Sequence, residues 1–269
     1  MKLKKTICFI ITILILTSCQ TRSESLLDPN TGAPISRKRG GAFGNEKQYE
    51  STIKSIDSNP ALLQIRSLLY SNDNGETQSV NGLINEGGEI FKLSQEYSDA
   101  KGTTVSLHFY FKNSKLISAV NKTLVVTAKN NFCREIKSYY GENEKVIYSC
   151  SRKAKNEEQI KKLTFYSDKK HDFKYTEAKE ILYQTGRFQT RYLSFMDAQG
   201  KEFIVVGSTG TDAYFSVLAI QPEIKAIKQI QQDSKKFVNK LLRVEFTEIT
   251  EANGFTFQGL LNAEFIEEK

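Results

Sequence analysis

The chain has 269 residues, 39% of them hydrophobic and 26% charged, a balance that supports one or two packed cores and excludes a disordered or fibrous protein. Its formal charge of +7 falls to +4 once the first eighteen residues, with three lysines and no acid, are set aside. So mild an excess, with no clustered basic face, excludes nucleic acid as the expected partner, and two histidines with no tryptophan narrow the site chemistry.

Residues 1–18 have the three parts of a secretory signal: Lys2, Lys4 and Lys5, an apolar run over 7–16, then the small residues Thr17 and Ser18. The run is about ten residues, against the ~20 that a spanning helix needs, so a removed leader is expected rather than a membrane span. Leu16-Thr17-Ser18-Cys19 at its end resembles the lipobox of bacterial lipoproteins. The resemblance implies that the Cys19 thiol receives a diacylglyceryl group, that the signal is cut just before it, and that the new amine is acylated. Several acyl chains, at ~0.8 kcal/mol per buried methylene, hold a protein on its membrane. Position 20 is Gln, where lipoproteins kept in the inner membrane usually carry Asp, so the resemblance implies the outer membrane.

Residues 19–45 are polar and broken by Pro29, Gly32, Pro34, Gly40, Gly41 and Gly44, which predicts a tether with a reach of about 25–30 Å. Within it, Arg37-Lys38-Arg39 could touch anionic headgroups. Helices are predicted over 47–57 and 60–70. In the second, Asn59 would cap, Pro60 would take the first helical position, and Leu62, Leu63, Ile65, Leu68 and Leu69 would form the apolar side.

From about 80 to 168 the period becomes two. Val105, Leu107, Phe109 and Phe111 alternate with Ser106, His108, Tyr110 and Lys112, and further runs follow at 116–120, 124–126, 132–140 and 143–152, which predicts an antiparallel meander. If Gly141-Glu142 form a type II′ turn, Cys133 faces Cys150 on a non-hydrogen-bonded rung with Cα atoms ~4.5 Å apart. With Cys8 in the leader and Cys19 lipidated, a Cys133–Cys150 disulfide is expected, stabilising by roughly 3 kcal/mol. Tyr110-Phe111 and Tyr139-Tyr140 each precede a polar turn, a Lys and an apolar pair. That pattern is similar to aromatic-turn hairpin repeats in bacterial envelope proteins, and an ordinary meander would give it too.

A basic, polar stretch at 169–176 and a short helix over 176–184, stopping at Gly186, predict a domain boundary near there. Strands at 191–196, 201–206, 211–219, 238–249 and 255–266, with a helix from near Pro222 to about 232, suggest a small barrel of oligomer-binding-fold type. The expected fold class is therefore mainly β with a few helices (α+β): an antiparallel meander domain over 46–186 and a small barrel-like β domain over 187–269.

The chemical motifs are weak. Gly207-Ser208-Thr209-Gly210-Thr211 lacks the Lys and following helix of a phosphate-binding loop and is read as a hairpin turn. Ser51 and Lys54 have a spacing seen in serine hydrolases of the penicillin-recognising type, yet Ser98 with Lys101 and Ser167 with Lys170 share it and the companion motifs are absent. His108 and His171 belong to no recognisable metal or triad pattern. No catalytic, cofactor-binding or metal residue is assigned, and no cofactor is expected. The expected function is a membrane-anchored envelope lipoprotein acting as a binding or structural module without its own catalysis, with the membrane and an envelope protein or glycan as partners. A small-ligand carrier or sensor, with a pocket between helix 60–70 and the first sheet, and an envelope or glycan hydrolase with unplaced carboxylates are the alternatives. A closed apolar cavity of ~300 Å³ or more would favour the carrier, two carboxyl groups ~5–10 Å apart in an open groove the hydrolase, and an exposed aromatic patch with neither the binding module.

Overall fold

The computed structural model describes residues 44–128, 131–198, 200–210, 212–220 and 223–267. The leader, Cys19 and nearly all of the tether lie outside the described residues. Those described fall in one compact unit, Lys38–Lys269.

In chain order the elements are α1 (Glu46–Asp57), β1 (Leu63–Arg66), β2 (Tyr70–Ser71), β3 (Thr77–Ile84), β4 (Ile90–Ser98), β5 (Thr103–Lys112), β6 (Lys115–Val126), β7 (Asn131–Tyr140) and β8 (Val146–Ala154). Then come α2 (Glu157–Lys161), β9 (Tyr166–Ser167), α3 (Thr176–Tyr183), a 3-10 turn (Gly186–Phe188), β10 (Arg191–Ala198), β11 (Lys201–Gly207), β12 (Phe215–Ala219), α4 (Lys225–Gln232), α5 (Ser234–Phe237), β13 (Leu242–Thr250) and β14 (Thr256–Phe265). The protein is mainly β, and its strands form one sheet in the order β10-β11-β12-β2-β3-β4-β5-β6-β7-β8-β9, with β1 on β3 and the β13-β14 hairpin branching from β12. All pairs are antiparallel except β12 with β14. The path ends at β10 and β9, so it is open, and the strands of 187–269 join the rest through β12 and β2 where a separate small barrel was expected.

Five hairpin loops are built alike. Residues 72–76, 85–89, 99–103, 141–145 and 251–255 each close with the first N–H donating to the fifth carbonyl and the fourth N–H to the first carbonyl. The fourth position needs left-handed backbone, and it is Gly75, Gly88, Gly102 and Gly254 in four loops and Glu144 in the fifth. That loop corrects the expected register. Gly141 opens the turn without positive φ, Tyr139 faces Tyr148, Lys137 faces Cys150 and Cys133 faces Ala154. The two cysteines share a sheet face but stand four residues apart along it, about 13 Å, well beyond disulfide reach. Neither is in a disulfide.

The helix expected over 60–70 is also corrected. Asn59 Oδ1 accepts from the Ala61 N–H and the Leu62 N–H donates to the Asn59 carbonyl, so Asn59-Pro60 opens a turn instead of capping a helix. The chain then runs antiparallel to β3 as β1 and β2. Between them the pairing sum shifts by one residue, and Ser67 Oγ accepts from the Val80 N–H at 2.7 Å in place of a carbonyl.

Alternation puts Leu93, Phe109 and Ala119 on one sheet face, where they pack with Ile181 of α3, Ile204, Leu218, Ile227 of α4 and Leu260 in one core. Tyr110 and Val120, on the other face, meet Ile56 and Ile53 of α1 in a smaller cluster. The sheet is thus held between α1 and α3. The main core draws on both sides of residue 186, so the stretches 46–186 and 187–269 share one core. Each buried large side chain supplies about 1.5–3 kcal/mol.

Candidate functional site

A cleft of about 710 Å³ opens where α3 crosses β3, β4 and β5. Cross-strand neighbours form its floor: Gln78 beside Tyr97 beside Val105, and Gln95 beside Leu107. Thr176, Glu177 and Glu180 of α3 form one wall, because Ala178, Ile181 and Leu182 bury the opposite side of that short helix. The helix ends on Gln184 in the left-handed conformation, and Gly186, at φ +58, turns the chain back so that Arg187 reaches the cleft. The left-handed backbone at Gly186 favours glycine, and a Cβ there would lie 2.8 Å from the Glu180 carboxyl carbon, so that side chain would have to swing aside.

Glu76 closes the first hairpin loop, where Asn72 Oδ1 takes the N–H groups of Asn74 and Glu76 and fixes the loop's shape. Its carboxylate accepts from Asn72 Nδ2 at 2.8 Å, from the Tyr97 hydroxyl at 3.0 Å and from the Tyr214 hydroxyl at 3.0 Å. Gln78 Nε2 donates to the Tyr214 oxygen at 2.7 Å, and Gln95 Nε2 donates both to Gln78 Oε1 at 3.0 Å and to Glu177 Oε1 at 2.9 Å. Arg187 completes the chain by pairing with Glu177, its guanidinium 5.2 Å from the centre of the Tyr214 ring. The bonds from Asn72, Tyr214 and Tyr97 hold the Glu76 carboxyl below its ordinary value. Burial, and then Glu76, push the Tyr97 hydroxyl up to about 12. At neutral pH Glu76 is therefore an ionised acceptor and Tyr97 a protonated donor, states that suit recognition; a general acid needs a carboxyl raised towards neutrality.

A smaller recess of about 280 Å³ lies on the other face beneath α1. There Lys92 pairs with Asp57 at 2.6 Å, Lys137 with Glu50 at 2.9 Å, and the Tyr139 hydroxyl donates to Glu50 at 2.6 Å. These groups are used in docking the helix. His108 lines this recess with Nδ1 2.9 Å from Ser94 Oγ, and burial, then Lys92 and Lys122, push its pKa down to about 4.

His171 lies on the opposite face, its backbone held by Ser138 Oγ and Ser149 Oγ and its Nε2 3.3 Å from Asp168 Oδ2. The two histidines do not meet. Ser51 and Lys54 lie exposed on α1, while Ser98 ends β4 and Lys101 lies within the hairpin loop that follows. The Gly207–Gly210 stretch joins β11 to β12, as a turn should, and Thr211 lies outside the described residues. A Cβ at Gly207 would fall 2.4 Å from the Tyr214 carbonyl oxygen, so this glycine lets Tyr214 pass close by on its way to the cleft. Cys133 and Cys150 are buried and lie away from the cleft, and burial pushes the Cys150 thiol up to about 12.

Among the described residues no group of three or more His, Cys, Asp and Glu side chains could hold a metal ion, and no helix is long and apolar enough to cross a membrane. A partly exposed aromatic cluster lies at β11 and the start of β14, with the half-buried Phe203 and Phe257 and the exposed Phe255 of the loop before β14 in ring contact and Lys201 Nζ 4.5 Å from the Phe257 ring centre. Sequence reasoning assigned none of the cleft residues. The signal that could have found them is the Asn-x-x-Gly-Glu loop at 72–76, with polar side chains at alternate positions, Gln78, Gln95 and Tyr97, where the strand pattern calls for apolar ones. Comparison with protein-family models, with curated proteins and with solved structures finds no match to this chain.

Proposed function

We propose that this chain is a lipid-anchored envelope protein that works as a binding module without chemistry of its own. Cys19 fixes it to a membrane, with Gln20 in place of the Asp usual for inner-membrane retention supporting the outer one, and the stretch 19–45 lets the folded unit stand clear of the headgroups. The lipobox-like residues Leu16-Thr17-Ser18-Cys19 support the anchor. The cleft under α3 supports the binding role. Its partner is an envelope component, protein or glycan, and not nucleic acid.

The carrying observation is the state of the cleft's polar groups: a hydrogen-bonded chain from Glu76 to Arg187 fixes acceptors and donors in place before any partner arrives. Such preorganisation reduces the ordering cost of binding. The carrier reading stands second, favoured by a volume inside the ~300–1,000 Å³ span of small-ligand sites, though the pocket lies beneath α3, since no helix forms over 60–70.

A photoreactive residue placed at Thr176, on the cleft wall, tests the reading in intact cells, with the same residue at Lys228 on α4 as a site outside the cleft. A defined adduct from Thr176 alone is expected. Equal adducts from both sites, or none from either, would contradict the reading.

A further inference from the structure

We infer that the cleft under α3 takes a ligand carrying a protonated amine flanked by further hydrogen-bond donors, such as an amino sugar or a linear polyamine; this rests on the cleft being the binding site. The cleft's donors and cations are nearly spent within the protein. Arg187 is paired to Glu177 and Lys174 to Asp172. The hydroxyls of Tyr97 and Tyr214 both go to Glu76, and Gln95 Nε2 faces two acceptors, Gln78 Oε1 and Glu177 Oε1. Facing two acceptors also fixes which end of the Gln95 amide is nitrogen.

What remains is acceptor capacity. Gln95 is nine-tenths buried and lines the cleft, and its amide oxygen takes no hydrogen bond among the described residues. The Glu180 carboxylate, on the wall beside Gly186, has no ion-pair or hydrogen-bond partner among them either. The Tyr97 hydroxyl donates its hydrogen bond to Glu76, and its oxygen keeps its lone pairs.

The charge account agrees. Of the carboxylates lining the cleft, only Glu177 has a cation of its own, which leaves Glu76 and Glu180 uncompensated. A phosphate or uronate would be repelled there, while an ammonium group gains charge-assisted bonds. Val105 and Leu107 offer an apolar floor for a carbon skeleton.

Calorimetric titration of the full, acylated protein in detergent tests this with three probes: the trimer of β-1,4-linked glucosamine, the same trimer fully N-acetylated, and spermidine. The two trimers share a skeleton and differ in charge. The amine trimer, spermidine or both are expected to bind, at least about tenfold more tightly than the acetylated trimer and more weakly as salt rises. Whichever amine binds tighter identifies the source of the group. Glu180→Gln is expected to weaken the amine ligand by about tenfold with the melting temperature unchanged. If that variant fails to fold, the comparison of the two trimers on the wild-type protein still decides. Equal binding of both trimers would overturn the amine assignment and leave the cleft as a binding site. No binding of either amine would overturn it too, independently of the adduct from Thr176.

Discussion

Glu76 is the last residue of a five-residue loop, and from there one carboxylate collects Asn72, Tyr97 and Tyr214 together. The loop's fourth residue carries the conformational cost. Gly102 and Gly88 occupy that position in two sister loops at φ +86 and +79, but a Cβ on Gly102 would lie 2.2 Å from the Val126 carbonyl oxygen, whereas nothing lies within 4 Å of one on Gly88. Gly88→Ala should therefore cost the left-handed penalty alone, about 1–2 kcal/mol, and Gly102→Ala clearly more because backbone must move. Thermal melting of the two variants checks this, and equal shifts would contradict it. At this scale the sequence misled at Gly141: a glycine before Glu142 looked like the left-handed position of a two-residue turn, yet Glu144 takes that role. Glu144 Oε1 accepts from the Leu116 N–H at 2.9 Å, a bond that offsets the conformational cost for a residue other than glycine. The error moved the rungs from Cys133 to Tyr139 by four residues and created an expected disulfide.

Among the elements, α1, α3 and α4 lie close to their expected bounds. The strand pair β1 and β2 was not legible as strands. Leu62, Leu63, Ile65, Leu68 and Leu69 fit a helical face, but with a one-residue bulge after Arg66 they also fit an interrupted strand, and the turn bonds at Asn59 select the second. The docking of α1 should respond to acid. His108 is buried beneath it, facing Lys92, Lys122 and Asp57, and its pKa falls from 6.5 to about 4. Between those values the unfolded chain binds a proton that the folded chain does not, so stability drops as pH falls from 6.5 towards 4. For Glu50, burial raises the pKa, but the bonds from Lys137 and Tyr139 outweigh it and the net value lies below 4.5. Its contribution is present above that value and lost further into acid. Melting temperatures across this range should show a flatter slope between pH 6.5 and 4 in His108→Gln, and a reduced loss below pH 4.5 in Glu50→Gln. Slopes equal to the wild type in both variants would contradict the assignment.

At the scale of the whole molecule, the mainly β class was legible because strand alternation is a local signal. The way distant stretches meet was not. The polar run at 169–176 and the helix stop at Gly186 suggested a domain boundary, but they form the approach to and exit from a docked helix, and Phe188 just beyond is fully buried, its carbonyl accepting from the Tyr70 hydroxyl at 2.9 Å. The cleft lies across that supposed boundary. Glu76, Gln95 and Glu177 come from before it and Arg187 and Tyr214 from after it, so no single stretch of sequence contains the site. The central claim is that this cleft receives an envelope partner. Hydrogen–deuterium exchange on the anchored protein, with and without solubilised envelope, tests it most directly. The account predicts added protection confined to peptides covering 72–78, 95–107, 176–187 and the segment around Tyr214; unchanged exchange there, with protection appearing only beneath α1 or on the β11–β14 surface, would contradict it.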